Sequence, residues 1–355
     1  MSSLIDKARA VREGEELNIP KLEAYLTASI PGSKGPLVVE QFPGGYSNLT
    51  YLLKLGDQEM VLRRPPFGNQ VKSAHDMGRE YRVLSKLSAV YPPAPKPLAY
   101  CTDAEILGAD FYVMERRRGI ILRKQPPEGL DLSPPIARKL SESLADNLAA
   151  LHAVDYEAAG LADLGKPEGF VERQVAGWSK RYDGARTDDV PEMHQAAEWL
   201  AANMPKHSGA SLIHNDFKHD NLVLDPNDIT HVVAVLDWEM ATIGDPLIDV
   251  GTTLAYWVEE KDPPGVKAFG FGPTTLPGSL TRAEFLDRYA KTSGRNVSDM
   301  LFYFVFGLFK LAVIIQQIYA RYHRGHTKDP RFAHLNLMVA VLAQQATAAI
   351  ESGKF

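Results

Sequence analysis

Apolar residues recur along the chain with two different periods, and the place where the period changes divides it. Residues 4–30 carry a helical pattern, with Leu17, Leu22, Tyr25 and Leu26 as apolar contacts, closed by Pro31-Gly32. Three strand-like runs follow, Leu37–Phe42, Thr50–Leu55 and Glu59–Arg63, with Gly56-Asp57 as the tight turn between the last two. Residues 72–90 return to helical spacing: Met77, Val83, Leu84 and Leu87 make an apolar face, and Glu80 falls on that same face. A rigid connector, Pro92 to Pro97, leads to two more strands, Leu98–Thr102 and Asp110–Glu115. The pattern predicts a five-stranded meander with one inserted helix. From about residue 133 the chain reads as mostly helical, over 133–153, 168–182, 190–203, 246–260, 281–292, 299–323 and 332–351. A hinge near 115–119 is the expected boundary, giving a sheet domain over 1–115 and a larger helical domain over 116–355.

One stretch inside the helical half breaks its pattern. Ser211 to Leu224 has an apolar lead-in, a dense polar loop and an apolar exit, and a second apolar run, Val232–Leu236, ends in Asp237. Two short buried strands are thus expected to present Asp216, Asn221 and Asp237 at their ends. Burying a bare carboxylate is costly. The usual remedy for such a cluster is a hard cation such as Mg2+, which takes oxygen ligands. The arrangement points to phosphoryl transfer.

Composition narrows the class without naming it. The chain has 355 residues, 45% apolar and 23% charged, which suffices for two domains or one large one. A net charge of −5 speaks against a nucleic-acid binder that relies on global positive charge. One cysteine, Cys101, precludes an internal disulfide and fits a reducing compartment. The first residues are charged and lack the apolar core of a secretory signal. The most apolar stretch, Leu301 to Ile315, is interrupted by Lys310 and closed by Gln316-Gln317; it reads as a buried core helix rather than a membrane span. A soluble, cytoplasmic protein with no membrane partner is expected.

Two further features bear on the chemistry. Between the first two strands, Pro43 to Thr50 forms a glycine-containing loop. Gly44 and Gly45 allow backbone N–H groups to approach phosphates, while Ser47 and Asn48 add side-chain donors. Paired glycines also simply make turns. Glu80, pointing inward, needs a cation, and Arg63 on the third strand is the nearest candidate by topology. A competing reading is a metal hydrolase built on His214, Asp216, His219 and Asp220. It requires further histidines at matched places, and His152 and His231 lack that context. A nucleotide-binding module without catalysis is the other alternative.

His214-Asn-Asp216-Phe-Lys-His-Asp-Asn221 has the H-x-D-x-x-x-x-N spacing of the protein-kinase catalytic loop, with an aspartate on a following strand. With LDWE at 236–239 and GDPLIDVG at 244–251, the chain resembles the aminoglycoside phosphotransferase family. Within it the likeness is to the branch related to the kinase-like domains of acyl-CoA dehydrogenase fusion proteins. GGYSNLTY at 44–51, VLRRPP at 61–66, GREYRVL at 78–84, LAALHAVD at 148–155 and RQVAGW at 173–178 also look like that branch. The resemblance runs from about residue 35 to 325.

It implies an α+β, protein-kinase-like fold of two lobes, a small five-stranded antiparallel sheet lobe with one helix and a larger helical lobe. It implies ATP and Mg2+ as cofactors and a small-molecule hydroxyl as acceptor. Asp216 would receive or orient the acceptor's hydroxyl. Asn221 and Asp237 would hold Mg2+, and Gly44 to Asn48 would cover the ATP phosphates. Arg63 would reach those phosphates and pair with Glu80, while the backbone of Glu115 and Arg116 would meet adenine. His214 would orient the loop, and Asp249 would brace it. Relatives often carry lysine where this chain has Arg63, which keeps the charge and adds a bidentate fork. A polycationic aminoglycoside calls for a carboxylate-rich pocket. Here Arg116 to Lys124, Lys180-Arg181 and Arg321 to Lys328 are basic, so an anionic acceptor such as a hydroxyacyl thioester of CoA is expected. An aminoglycoside, amino alcohol or sugar is the alternative.

Overall fold

The computed structural model describes residues 4–43, 48–67, 76–268, 270 and 272–355. In chain order its elements are α1 (Ile19–Ser29), β1 (Leu37–Gln41), β2 (Leu49–Leu55), β3 (Gln58–Arg64), α2 (Met77–Leu87), β4 (Pro97–Cys101), α3 (Ala104–Leu107) and β5 (Phe111–Glu115). There follow α4 (Pro134–His152), α5 (Phe170–Ala185), α6 (Pro191–Ala202), β6 (Ser211–Ile213), β7 (Leu222–Leu224), β8 (Val232–Val235) and β9 (Thr242–Gly244). The chain closes with α7 (Pro246–Tyr256), α8 (Pro264–Ala268), α9 (Arg282–Ser293), α10 (Met300–His323) and α11 (Leu335–Ser352). Contacts divide these elements into two compact units, one of residues 1–121 with 222–241 and one of residues 122–221 with 242–355. The expected α+β class, an antiparallel five-stranded sheet beside a mainly helical unit, is what the chain forms.

In the sheet unit the strand order is β1-β2-β3-β5-β4, all antiparallel, and not the simple meander that the sequence suggested. Burial explains the exchange. Four of the five residues of β5 are buried, so it takes the interior position, whereas β4 begins with Pro97 and is mostly half-buried. A proline cannot donate to a ladder and is tolerated at a strand's first residue on the edge. One sheet face packs Tyr51, Leu53, Leu62, Phe111 and Val113 against Leu22 and Leu26 of α1. The first helix is shorter than its pattern suggested. It starts only at Ile19, with Asn18 accepting from the Lys21 N–H as cap and proline in the first turn. Upstream, Arg9 exchanges two backbone hydrogen bonds with Gln41 at 2.8 Å, so this segment extends the β1 edge instead of coiling. The β7–β8 hairpin joins this unit through paired backbone bonds between Ile120 and Leu224, at 2.9 and 2.8 Å.

The helical unit is built around α10, which is buried along almost its whole length. It crosses α7 where two glycines meet. A Cβ on Gly251 would lie 2.1 Å from the Tyr303 carbonyl oxygen, and one on Gly307 would lie 2.3 Å from the Gly251 oxygen. Only bare backbone fits there. By length and composition alone, α10 and the 330–352 stretch could each cross a bilayer, but 78% of the most apolar window of α10 is buried inside the protein, as in a core helix. β6 and β9 form a two-stranded ladder, Ser211 opposite Gly244 and Ile213 opposite Thr242. That ladder delivers the chain into the loop at 214–221.

Candidate active site

Within the sheet unit, charge gathers around Arg63. Residues 60–64 of β3 are all buried, and Arg63 is only 7% exposed. A cation so placed must be paired. Its Nη1 donates to Glu80 Oε1, and its Nη2 donates to Asp237 Oδ1 at 2.9 Å, with Glu239 Oε2 3.9 Å away. Glu80 stands in the first turn of α2, whose N-terminus is capped by Asp76. Its Oε1 also accepts the Trp238 N–H at 3.2 Å. Burial pushes the Glu80 carboxyl above its ordinary range, and the Arg63 charge opposes that rise. Asn48 donates from Nδ2 to Glu239 at 2.7 Å. Asp237 itself sits at φ +69°, one of two non-glycine residues with positive φ among the described residues. Such a conformation costs of order 1–3 kcal/mol and is held only where the surroundings over-determine it. Three carboxylates, Glu80, Asp237 and Glu239, thus face one guanidinium.

Within the helical unit, the loop after β6 is organised on Asp249. This fully buried residue of α7 accepts the N–H groups of His214 at 2.6 Å and Asn215 at 2.8 Å, and lies 3.2 Å from His152 Nε2. Burial would raise its pKa, but the hydrogen bond and charge of His152, with those of the loop, hold it below the ordinary value. α7 starts cleanly because Asp245 caps it, accepting from the Leu247 N–H, and Pro246 occupies its first turn. The loop then presents Asp216 in a shell of donors. Lys218 Nζ is 2.9 Å from each carboxylate oxygen, Tyr256 donates to Oδ1 at 2.8 Å, and Asn221 Nδ2 donates to Oδ2 at 2.9 Å. Burial opposes the charge on Lys218, yet Tyr256 and the carboxylates of Asp216 and Asp220 raise its pKa. The Asn221 Nδ2 also donates to the Asp216 carbonyl at 2.8 Å. Asp220 is pushed up to about 6 by burial.

The two histidines of the loop are scaffolding. His214 Nδ1 accepts the Asp216 N–H at 3.2 Å. His219 is buried against Trp257, with ring centroids 5.4 Å apart, and burial pulls it down to about 4. Among the described residues no group of three or more His, Cys, Asp or Glu side chains is arranged to hold a metal. An imidazole-rich hydrolase centre therefore has no counterpart in them.

The structure brings Asn48, Arg63, Glu80 and Asp237 together in one unit, and Asp216 with Asn221 in the other. Glu115 ends β5, where its Oε1 accepts the Lys96 N–H at 2.8 Å and its own N–H donates to the Lys96 carbonyl. Arg116 points to Glu59 and to the Asp6 carbonyl. Gly44, Gly45 and Ser47 lie outside the described residues. Sequence reasoning passed over Glu239, Lys218 and Tyr256. The signal for Glu239 was present, two residues beyond Asp237. Lys218 carries the same offset from Asp216.

With that geometry in view, residues 38–286 match the model described as the Phosphotransferase enzyme family, and the chain belongs to that family. It is 36% identical over 333 residues to acyl-CoA dehydrogenase family member 11 of Rattus norvegicus, covering 88% of this chain and 41% of the rat protein. The chain spans well under half the length of the curated relatives it matches. A solved structure from Ralstonia eutropha, provisionally described as an aminoglycoside phosphotransferase, superposes with a TM-score of 0.79 at 31% identity, covering 94% of this chain and 99% of that one. The aminoglycoside phosphotransferase APH(4)-Ia, solved as a ternary complex with AMP-PNP and hygromycin B, shares the fold at a TM-score of 0.57 and 18% identity, covering 94% and 99%.

Proposed function

We propose that this chain transfers the γ-phosphate of ATP, with Mg2+, to a hydroxyl of a small anionic metabolite, a hydroxyacyl thioester of CoA being the leading candidate. The observation that carries the reading is the loop at 214–221, where one carboxylate, Asp216, is held by Lys218, Tyr256 and the Nδ2 of Asn221 five residues on. Asn221 and Asp237 supply oxygen donors of the kind Mg2+ prefers, one or two protein ligands with phosphate oxygens completing the set. When bound, the ion supplies neutralisation of the charge spread over the transferring group. Asp216 accepts the proton of the acceptor hydroxyl as the new O–P bond forms and the bond to the leaving β-phosphate oxygen breaks, releasing ADP. Lys218 and Tyr256 hold the carboxylate in place and balance its charge before that proton arrives. Arg63, fixed by Glu80, orients the nucleotide phosphates, with Asn48 and the glycine loop over them, and the backbone of Glu115 and Arg116 receives adenine.

The relative's ternary complex supports a nucleotide and a hydroxylated small molecule binding together in this fold. The basic residues nearest the proposed chemistry do not themselves argue for an anionic acceptor, since Lys218 is spent on Asp216, Arg116 and Arg118 on Glu59, and Arg117 on Glu115. The acyl-CoA dehydrogenase names of the relatives favour a CoA thioester among anionic acceptors. We place the reaction in the cytoplasm, where ATP and Mg2+ are supplied and the buried Cys101 stays reduced.

Purified protein with Mg2+ and γ-labelled ATP, offered hydroxyacyl-CoAs, sugars, amino alcohols and aminoglycosides, tests this directly. Label on a hydroxyacyl-CoA is the expected result. Label on an aminoglycoside or amino alcohol instead would move the acceptor class, and no label on any member would overturn the reading.

A further inference from the structure

Lys310 is an anomaly in its own helix. It interrupts the most apolar run in the chain, lies in the middle of α10 and is 2% exposed. A buried ammonium is expensive, and the common remedy is a carboxylate in contact. Among the described residues none lies within ion-pair distance. Its two hydrogen bonds go to a single residue, 2.9 Å to the Asn215 carbonyl oxygen and 3.3 Å to the Asn215 Oδ1. The Trp178 ring, 5.9 Å away, adds a cation–π contact.

Asn215 is the residue immediately before Asp216, and it stands at φ +68°. Asparagine tolerates the left-handed region better than most residues, but the conformation still has to be imposed. Here it is imposed from both sides. Asp249 takes the Asn215 N–H at 2.8 Å, and Lys310 grips its carbonyl and side-chain oxygen. The peptide that carries Asp216 is thereby gripped between a buried anion and a buried cation.

We infer that Lys310 is a positioning residue, a buried clamp on Asn215 that sets where the Asp216 carboxylate stands. It touches no reacting atom. The inference rests on Asp216 being the group that meets the acceptor hydroxyl. A misplacement of about 1 Å at such a group costs about a hundredfold in rate. The charges facing Lys310 are Asp249 from α7, Asp216 and Lys218 from the loop, and Arg181 from α5. Burial pulls the Lys310 ammonium down to about 8, whereas Lys218 is raised. Loss of the Lys310 proton would leave a neutral amine, a weaker donor to the Asn215 oxygens, so catalytic turnover should fall as pH rises through about 8.

Two variants of the full chain test this. K310M removes the charge at nearly constant volume, and K310R keeps it at every accessible pH. In K310M, amide hydrogen exchange at His214 and Asn215 should quicken at least tenfold, with α7 and the rest of α10 unchanged. Its kcat should fall at least tenfold, with KM for ATP within about threefold of wild type. K310R should keep kcat within about threefold and lose the alkaline fall. Wild-type exchange at His214 and Asn215 in K310M would overturn the inference, as would uniform quickening over all of α7 and α10. If K310M does not fold, K310R decides alone: an alkaline fall like that of the wild type, or a large loss of kcat, would overturn the clamp. If the wild type transfers no phosphate, the function proposed above fails, while the exchange measurement still decides whether Lys310 holds the loop.

Discussion

The carboxylates of the sheet unit and the carboxylate of the catalytic loop are handled in opposite ways. Around Arg63, three acids, Glu80, Asp237 and Glu239, converge on one guanidinium. Around Asp216, one acid is met by an ammonium, a phenol and an amide, all donating to it. In the reading proposed above, the first offers carboxylate oxygens to Mg2+; the second would serve as the base, and because its lone pairs are already engaged one present donor must yield before it takes a substrate proton. The proposed reading divides the labour, with the nucleotide and the Asp237 donor to the metal on the acid-rich cluster, and acceptor chemistry, with Asn221 as the other metal donor, on the donor-ringed one.

That division can be broken from either side. The largest effect is expected on the loop: Asp216→Asn should lower kcat on the order of a thousandfold, mid-range for loss of a general base, while circular dichroism and KM for ATP hardly change. A loss below tenfold would remove Asp216 from the chemistry. Next comes the sheet unit, where Glu80→Ala leaves Arg63 buried with its nearest partner gone. Truncating one member of such a pair costs about 3–5 kcal/mol, with Asp237 retaining part of the pairing, so the urea midpoint should drop markedly in E80A and little in D216N. Equal midpoints for the two would deny the buried pair its role.

A smaller effect tests the loop's scaffolding. His219 titrates near 4 in the folded chain, well below its unfolded value of about 6.5. The unfolded state therefore binds more protons between those values, and stability must fall as pH drops from about 6.5 toward 4. Melting temperature should decline over that window in the wild type and decline less in H219F. Parallel curves would show that His219 is not the group responsible. The smallest effect is expected from Glu239→Gln, which removes one negative charge near Arg63 without removing a buried partner. KM for ATP should rise about threefold with kcat nearly constant, and an unchanged KM would take Glu239 out of the nucleotide cluster.

Much of this was legible from residue order alone, for reasons that show in particular elements. The helical half was readable because each helix buries a continuous stripe; the span expected at 299–323 is α10 at Met300–His323. The strand order was not readable, because the place of β5 between β3 and β4 is set by pairing across the sheet and not by any local pattern. β9 escaped notice because three residues are too few to show alternation. In the site, the Arg63–Glu80 pair announced itself as a charge on an apolar face, which had to find an opposite. Glu239 stood two residues beyond Asp237, but Asp237 adopts a left-handed conformation, so the turn after it hid which side chains face inward. Lys310 was visible as an interruption, but its partner lies 95 residues earlier in the chain.

The most direct test of the division of labour needs no acceptor. Binding of AMP-PNP with Mg2+ can be titrated calorimetrically into D216N and D237N side by side. D216N should bind within about threefold of the wild type, and D237N should bind at least tenfold more weakly and lose its dependence on Mg2+. Equal binding by the two variants, or weaker binding by D216N, would contradict the assignment of nucleotide and metal to the acid-rich cluster.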